Sequence, residues 1–350
     1  MTRTLIDNYR NDPGEHCGST AMRNLIRHYC DLELTEAMVF GLGSGIDFVL
    51  IEADRYEPGV FLFGRSATME ADVADALGLH YTEQTEPEDA RAWAVVRDEV
   101  AAGRPTMLSG DALYLDYRDF RVHFPAHRFV LLGFDDEARK AMVADRIVPD
   151  TQACSYEALA ASRNPKDFIS TVNLWGKFHD GTVEHSLPAA TRIAIRSAAQ
   201  RMLGENAGGA TAGEGAADAL AAPGAVAIAS GIHGLTRLAA RLPVFLQRAN
   251  AREIARYAGA CIESFGTGGG NFRIMYAAFL EESREKYYAP VETEDVSGIR
   301  ESARMWTALS SQLRAFASGE SEDVTAPAVQ LVESIRDSEQ QVFERLARVA

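Results

Sequence analysis

The feature that most constrains the fold is a change in hydrophobic periodicity about halfway along the 350-residue chain. Up to about residue 185, short apolar runs such as GVFLFG and RPTMLSG alternate with helical patterns such as TAMRNLIRHY. From Leu187 onward, six successive segments place their apolar residues at helical spacing. The sequence therefore predicts an α+β domain over residues 1–185 and a mainly α-helical domain over residues 186–350.

A Gly/Ala-rich stretch interrupts the helical half at about residues 204–224. It carries almost no large side chains, so it has little apolar surface to bury. We predict a flexible loop or a poorly packed segment there.

The charge balance restricts the partners. Lys plus Arg number 35 and Asp plus Glu number 50, which gives a net charge of −15. Nucleic acids and anionic membranes attract basic surfaces, so we expect neither as a partner. The negative electrostatic field of the chain would instead attract a cationic small molecule.

Targeting and cysteine patterns predict a cytoplasmic protein. No apolar stretch approaches the length of about 20 residues that spans a bilayer, and MTRTLIDNYRNDPGEHC lacks the apolar centre of a signal peptide. The four cysteines are scattered without a CxxC pair, which indicates reduced thiols. The histidines show no HExxH spacing, so we expect neither a metal nor a bound cofactor.

The segment NDPGEHCGSTAMRNLIRHY contains the best candidate nucleophile. Cys17 directly precedes the predicted helix, and Gly18, Ser19 and Thr20 provide a tight entry with capping hydroxyls. A thiol at that position faces free N–H groups and the positive end of the helix dipole, which favours the nucleophilic thiolate. The alternative is a small buried apolar residue, as most free cysteines are.

A predicted hairpin supplies a candidate base and its carboxylate. His127 opens the strand HRFVLLGF, and a turn near residue 137 leads into a second strand that ends at Asp145. Antiparallel pairing then brings Asp145 opposite residue 128 or 129, where it could orient the His127 imidazole. The alternative is a surface histidine and a turn aspartate that never meet. His123 is a rival base without a strand-paired carboxylate.

Two further residues are candidates for the same site. Asn11 could donate a hydrogen bond to an oxyanion together with the backbone N–H of Cys17, or it could be an ordinary loop asparagine. His16 adjoins Cys17 and could line the site. In contrast, FGLGSGIDF lacks the rest of a dinucleotide fingerprint and predicts a tight turn into a strand. GTGGGNFR predicts either a close helix connection or an anion cradle.

These motifs carry a family resemblance. HCGSTAMRNLIRHYC, LTEAMVFGLGSG and HRFVLLGFDD followed by MVADR resemble the N-terminal domain of the butirosin-biosynthesis H family, which in turn resembles papain-like bacteriocin-processing peptidases. The segment GTGGGNFRIMYAAFLEE is similar to the helical domain that commonly follows. The resemblance implies a papain-like domain with Cys17 as nucleophile, His127 as base and Asp145 as orienting acid.

The implied reaction is acyl transfer in natural-product biosynthesis. The donor is a thioester on the phosphopantetheine arm of an acyl or peptidyl carrier protein, and the acceptor is a small-molecule amine. A carrier-offloading cyclase or thioesterase, a peptidase and a non-catalytic binding protein are alternatives. An acidic carrier would need a basic patch, for which Arg118, Arg121 and Arg128 are candidates, unless they are simply solvated surface charges. Helical domains often pair, so we also expect a homodimer.

Overall fold

The computed structural model describes residues 3–204 and 227–348. All but the first residue of the Gly/Ala-rich segment lies outside the described residues. The described chain forms two compact units. The first comprises residues 3–39 and 78–184, and the second comprises residues 40–77, 185–204 and 227–348.

The first unit is built on a seven-stranded antiparallel sheet. The strands are β1 (Arg3–Leu5), β4 (Tyr81–Gln84), β5 (Thr106–Gly110), β6 (His127–Asp135), β7 (Lys140–Ala144), β8 (Gln152–Ser155) and β9 (Trp175–Phe178). Their order in the sheet is β4-β9-β5-β6-β7-β8, and β1 pairs with β6. Its helices are α1 (Cys17–Cys30), α4 (Asp89–Ala101) and α5 (Tyr156–Arg163), while α2 (Glu36–Leu42) begins in this unit.

The second unit combines a small sheet with long helices. The strands of its antiparallel sheet are β2 (Ile46–Glu52), β3 (Val60–Arg65) and β10 (Ala227–Ser230). Their order is β10-β2-β3. The helices are α3 (Met69–Leu77), α6 (Leu187–Leu203), α7 (Gly231–Phe245), α8 (Ala251–Glu263), α9 (Arg273–Tyr287), α10 (Thr293–Ser318) and α11 (Thr325–Leu346).

Most predicted elements are confirmed. GVFLFG forms β3, RPTMLSG forms β5, and the six helical patterns after Leu187 form α6 to α11. FGLGSG forms the predicted tight turn, in which the Ser44 N–H donates to the Gly41 carbonyl and the Gly45 N–H to the Phe40 carbonyl, each at 2.9 Å. Gly45 fits there because a Cβ would lie 2.6 Å from the Phe40 carbonyl oxygen. The α+β class with a mainly helical C-terminal region is therefore correct.

The unit boundary differs from the predicted division at residue 185. Residues 40–77 belong to the helical unit, although they precede it by more than a hundred residues. Both faces of β2 are largely buried, and Phe48 and Leu50 share a core with Leu235 and Trp306. Periodicity along the chain could not reveal this grouping, because it depends on pairing with the distant strand β10.

No helix within the described ranges is long and apolar enough to cross a membrane. The homodimer stays a prediction.

Candidate active site

The start of α1 presents Cys17 at the positive end of a helix. Cys17 is the first residue of α1, and His16 is the N-cap, with φ −111° and ψ 132°. The His16 Nδ1 atom accepts a hydrogen bond from the Ser19 N–H at 3.1 Å. The cap is therefore His16, whereas the sequence indicated the hydroxyls of Ser19 and Thr20.

Those hydroxyls instead bind Glu36, a residue that the sequence analysis missed. Its carboxylate accepts the Ser19 hydroxyl at 2.9 Å and the Thr20 hydroxyl at 3.1 Å. It also accepts the backbone N–H groups of Glu15 at 2.9 Å and His16 at 2.8 Å. Glu36 thus fixes the turn that leads into Cys17. A carboxylate at the start of another helix carries no local signal for this role.

The predicted hairpin is confirmed and positions the other two residues. Strand β6 begins at His127 and pairs antiparallel with β7, with Val130 opposite Ala144. Asp145 follows Ala144 directly, so the chain brings it next to the first residues of β6. On the other side, β5 places Gly110 opposite His127.

His127 and Asp145 meet as a buried pair. The His127 Nε2 atom lies 2.9 Å from Asp145 Oδ2, and the two residues are 1% and 2% exposed. The same oxygen accepts the Tyr117 hydroxyl at 2.9 Å and Arg118 Nη1 at 2.6 Å. The other oxygen, Oδ1, accepts the Arg146 backbone N–H at 2.6 Å. Because Nε2 faces Asp145, Nδ1 is the ring nitrogen left for the thiol.

Charge and hydrogen bonding at this site favour a thiolate and an imidazolium. Burial opposes ionisation of Cys17, yet the charges of His16 and His127 and their hydrogen bonds to the thiol hold its pKa well below the ordinary value. Burial also opposes the charged form of His127, but Asp145 and Cys17 raise its pKa to about 9. For Asp145, His127, Arg118 and the Arg146 N–H outweigh burial and lower the pKa far below 3.8. The three groups form a coupled ion-pair system.

The other three cysteines are shifted in the opposite direction. Burial raises the pKa of Cys30 to about 11 and the pKa values of Cys154 and Cys261 to about 12. Burial therefore acts to raise the pKa of all four thiols, and only at Cys17 do neighbouring imidazoles outweigh this effect.

The two accessory candidates have different positions. Asn11 donates its amide hydrogens to the carbonyl oxygens of Asp145 at 2.8 Å and Val148 at 2.7 Å. Its Oδ1 accepts from Asn24 at 2.9 Å. These contacts leave no amide hydrogen for an oxyanion, so Asn11 holds the segment that carries Asp145 instead. His16 contacts the thiol, as its sequence position indicated.

The proposed basic patch does not exist as such. Arg118 and Arg128 have side chains only 7% and 4% exposed, and they pair with Asp145 and Glu83. Only Arg121 is a surface charge, 84% exposed and paired with Asp119. Arg118 and Tyr117 thus belong to the surroundings of Asp145. Only the packing of the loop before β6 reveals this.

The GTGGGNFR motif is a structural anchor in the helical unit. Arg273 and Glu339 form a salt bridge at 2.7 Å with both side chains fully buried. The Arg273 Nη1 atom also donates to the carbonyl oxygens of Asp47 and Asn271, each at 2.9 Å. A Cβ at Gly270, where φ is 56°, would lie 2.7 Å from Ala303. The Arg273 guanidinium, which is the cation of this motif, is thus bound by groups of the helical unit itself, and the anion-cradle alternative has no support.

No set of three His, Cys, Asp or Glu side chains within residues 3–204 and 227–348 is arranged to hold a metal ion. The chemistry available at Cys17 is that of a nucleophile, a base and an orienting carboxylate.

Comparison with known families agrees with this organisation. The family model described as "Butirosin biosynthesis protein H, N-terminal" matches residues 16–146, from His16 to the residue after Asp145. The model described as "Domain of unknown function (DUF4872)" matches residues 157–346. No significant match to the chain was found among curated proteins. With both models matched in this order over most of its length, the chain belongs to the butirosin biosynthesis H-like family.

Proposed function

We propose that this protein is an acyltransferase of natural-product biosynthesis that uses Cys17 as its nucleophile. It would take an acyl group from the phosphopantetheine thioester of an acyl or peptidyl carrier protein and transfer it to a small-molecule amine. The observation that carries the proposal is the buried Cys17–His127–Asp145 system, in which the pKa of this thiol alone is lowered. Family membership implies a biosynthetic enzyme of the butirosin H type.

The first half-reaction forms an acyl-enzyme. The Cys17 thiolate attacks the thioester carbonyl carbon, and the His127 imidazolium gives its proton to the departing pantetheine sulfur. One C–S bond forms and one breaks, so no redox partner is needed. His127 is then neutral, and Asp145, which lies 2.9 Å from Nε2 in the structure, orients the ring.

The second half-reaction returns the system to its starting charges. The amine nitrogen attacks the acyl-enzyme carbonyl, and His127 takes a proton from the nitrogen as Cys17 leaves as a thiolate. Asp145 stabilises the imidazolium that forms. Neither step requires a bound cofactor, and the pantetheine arm is part of the substrate.

Two donors would stabilise the tetrahedral oxyanion. The backbone N–H of Cys17 lies in the first turn of α1, where N–H groups have no intrahelical acceptor. The second donor is the ring of His16, which contacts the thiol and takes the role predicted for Asn11.

The arrangement also supports a papain-like assignment for the first unit. The nucleophile begins a helix, the histidine begins a strand, and the carboxylate follows the adjacent antiparallel strand. The Cys, His, Asp order along the chain is the one that papain-like bacteriocin-processing peptidases share. Four free thiols, one of them reactive, suit a reducing compartment such as the cytoplasm.

The test is mass spectrometry of the intact protein after mixing with acyl thioesters of pantetheine. Wild type should gain one acyl mass and Cys17→Ala should gain none. Cys30→Ala is the matched control, because Cys30 lies at the other end of α1 and has a raised pKa. It should behave as wild type.

The outcomes separate the alternatives. Acylation of wild type and Cys30→Ala alone supports the nucleophile, and an added amine that captures the acyl group supports transfer. An acyl-enzyme that only water discharges indicates a thioesterase. If wild type gains no mass and the thioester stays intact, the acyl-enzyme mechanism is wrong and a binding function takes its place.

A further inference from the structure

A second histidine–carboxylate pair lies beside the first and has no role in the mechanism above. His123 Nδ1 is 2.7 Å from Asp111 Oδ2. The Asp111 side chain is fully buried, whereas the His123 side chain is 31% exposed. His123 therefore has the carboxylate that the sequence analysis did not find for it, in the residue directly after β5.

Backbone hydrogen bonds fix Asp111 close to the start of the strand that carries His127. Asp111 Oδ1 accepts the backbone N–H groups of Leu113 at 3.1 Å and Phe124 at 2.9 Å. Asp111 follows Gly110, the strand partner of His127. The Phe124 ring lies 6.3 Å from the His127 ring, measured between centroids. The chain segments that carry the two pairs are thus adjacent in the same unit.

The surroundings of His123 suit a cation. Its ring stacks on Phe168, with centroids 4.0 Å apart and planes 8° apart, and the Tyr114 ring lies 6.0 Å away. The Tyr114 hydroxyl donates to Asp167, and the Asp167 carboxylate is close enough to interact electrostatically with His123. The carboxylates of Asp111 and Asp167 thus both lie near this ring. Carboxylates and aromatic faces are the groups that recognise an ammonium ion.

Asp111 also fixes the tautomer of the His123 imidazole. A carboxylate can only accept, so Nδ1 carries the proton and the lone pair of neutral His123 is on Nε2. Among the described residues, no hydrogen-bond partner of Nε2 is found. Nε2 is thus available to take a proton from a bound group.

The proposed amide-forming step needs such a second base. An alkylamine acceptor arrives as an ammonium ion at neutral pH, and it must lose two protons to become an amide nitrogen. His127 can take only one, because the proton it receives restores the ion pair with Cys17. We propose that Asp111 and His123 form the subsite that binds the acceptor's ammonium group and removes its first proton. This inference rests on the proposed function.

The proton balance is complete. His123 Nε2 takes one proton from the ammonium, and the free amine attacks the acyl-enzyme carbonyl. The C–N bond forms, the C–S bond to Cys17 breaks, and the second proton passes to His127. The exposed side of the His123 ring releases the first proton to solvent.

The test compares two acceptors of nearly equal shape on preformed acyl-enzyme. Butylamine is protonated at neutral pH, whereas its isostere O-propylhydroxylamine is not. Single-turnover loss of the acyl group is followed by intact-protein mass in wild type, His123→Gln and His179→Gln. His179 is an exposed histidine of the same unit that contacts Thr82, so its variant controls for loss of an imidazole.

We expect His123→Gln to slow capture by butylamine roughly 100-fold, as for loss of a general base. Capture by O-propylhydroxylamine should change less than about threefold, and raising the pH should narrow the butylamine difference. His179→Gln should match wild type with both acceptors.

Other results overturn the inference in distinguishable ways. Equal slowing with both acceptors would mean that His123 only supports the structure, and no slowing with either would remove it from the reaction. If neither acceptor accelerates deacylation of wild type, the amide step itself is wrong. If wild type is never acylated, the proposed function fails before His123 is tested.

Discussion

The substitution Arg118→Met tests whether Arg118 stabilises the buried Asp145 carboxylate or forms part of a docking surface for a carrier protein. Met fills much of the aliphatic volume of Arg118 but removes the cation 2.6 Å from Asp145 Oδ2. A hydrogen bond between charged groups is worth about 1.5–3 kcal/mol. The cost stays below that of a wholly unpaired buried charge, because Asp145 keeps His127, Tyr117 and the Arg146 N–H. We expect Arg118→Met to lower the free energy of unfolding by about 2–3 kcal/mol.

The assay is urea unfolding at neutral pH, with Arg121→Met as the control. The Arg121 side chain is 84% exposed and pairs with the exposed Asp119, so its loss should change stability by less than about 0.5 kcal/mol.

Reactivity of the thiol provides a second measurement. The Arg118 cation also lies 2.9 Å from His127 Nε2, where it opposes the imidazolium. Removing the Arg118 cation should therefore favour the His127 imidazolium. The imidazolium charge in turn keeps the Cys17 thiol ionised. The pH profile of Cys17 alkylation by iodoacetamide should not move to higher pH.

Equal stability of the Arg118 and Arg121 variants would refute this reasoning. The docking interpretation would gain support if both variants also slowed acylation by a carrier-borne thioester to the same extent.

Three further substitutions test other parts of the structure. Asp145→Asn removes the anion that raises the pKa of His127 to about 9, so acylation measured by intact mass at neutral pH should fall about 10²–10⁴-fold. Burial raises the pKa of Asp47 from 3.8 to about 6. The contribution of Asp47 to the free energy of unfolding therefore falls as pH rises from about 4 to 6. Asp47→Asn should gain about 1–3 kcal/mol in urea unfolding at pH 7 but nothing near pH 3. Glu339→Gln removes the negative charge that pairs with the buried Arg273, so it should lower the free energy of unfolding by about 3–5 kcal/mol. Glu339→Leu combined with Arg273→Met removes both charges and should lower it by less. Urea unfolding of both variants measures the difference.

The sequence by itself determined the local parts of this protein. The helical spacing after Leu187, a helix that begins next to Cys17 and the β6–β7 hairpin all follow from short-range periodicity and turn position. The hairpin register also placed Asp145 near the start of β6, because antiparallel pairing is fixed once the turn is known. Family motifs in the same segments added the chemistry.

Only the tertiary structure decided which distant groups meet. Strand β2 joins the helical unit by pairing with β10, and β3 follows by pairing with β2. Glu36 fixes the Cys17 turn, Asn11 binds the carbonyl of Asp145, and Arg118 lies against its carboxylate. A lone carboxylate, amide or guanidinium has the same local pattern whether it is solvated or buried. Its role is set by the desolvation that packing imposes, and by the partners that packing must then supply.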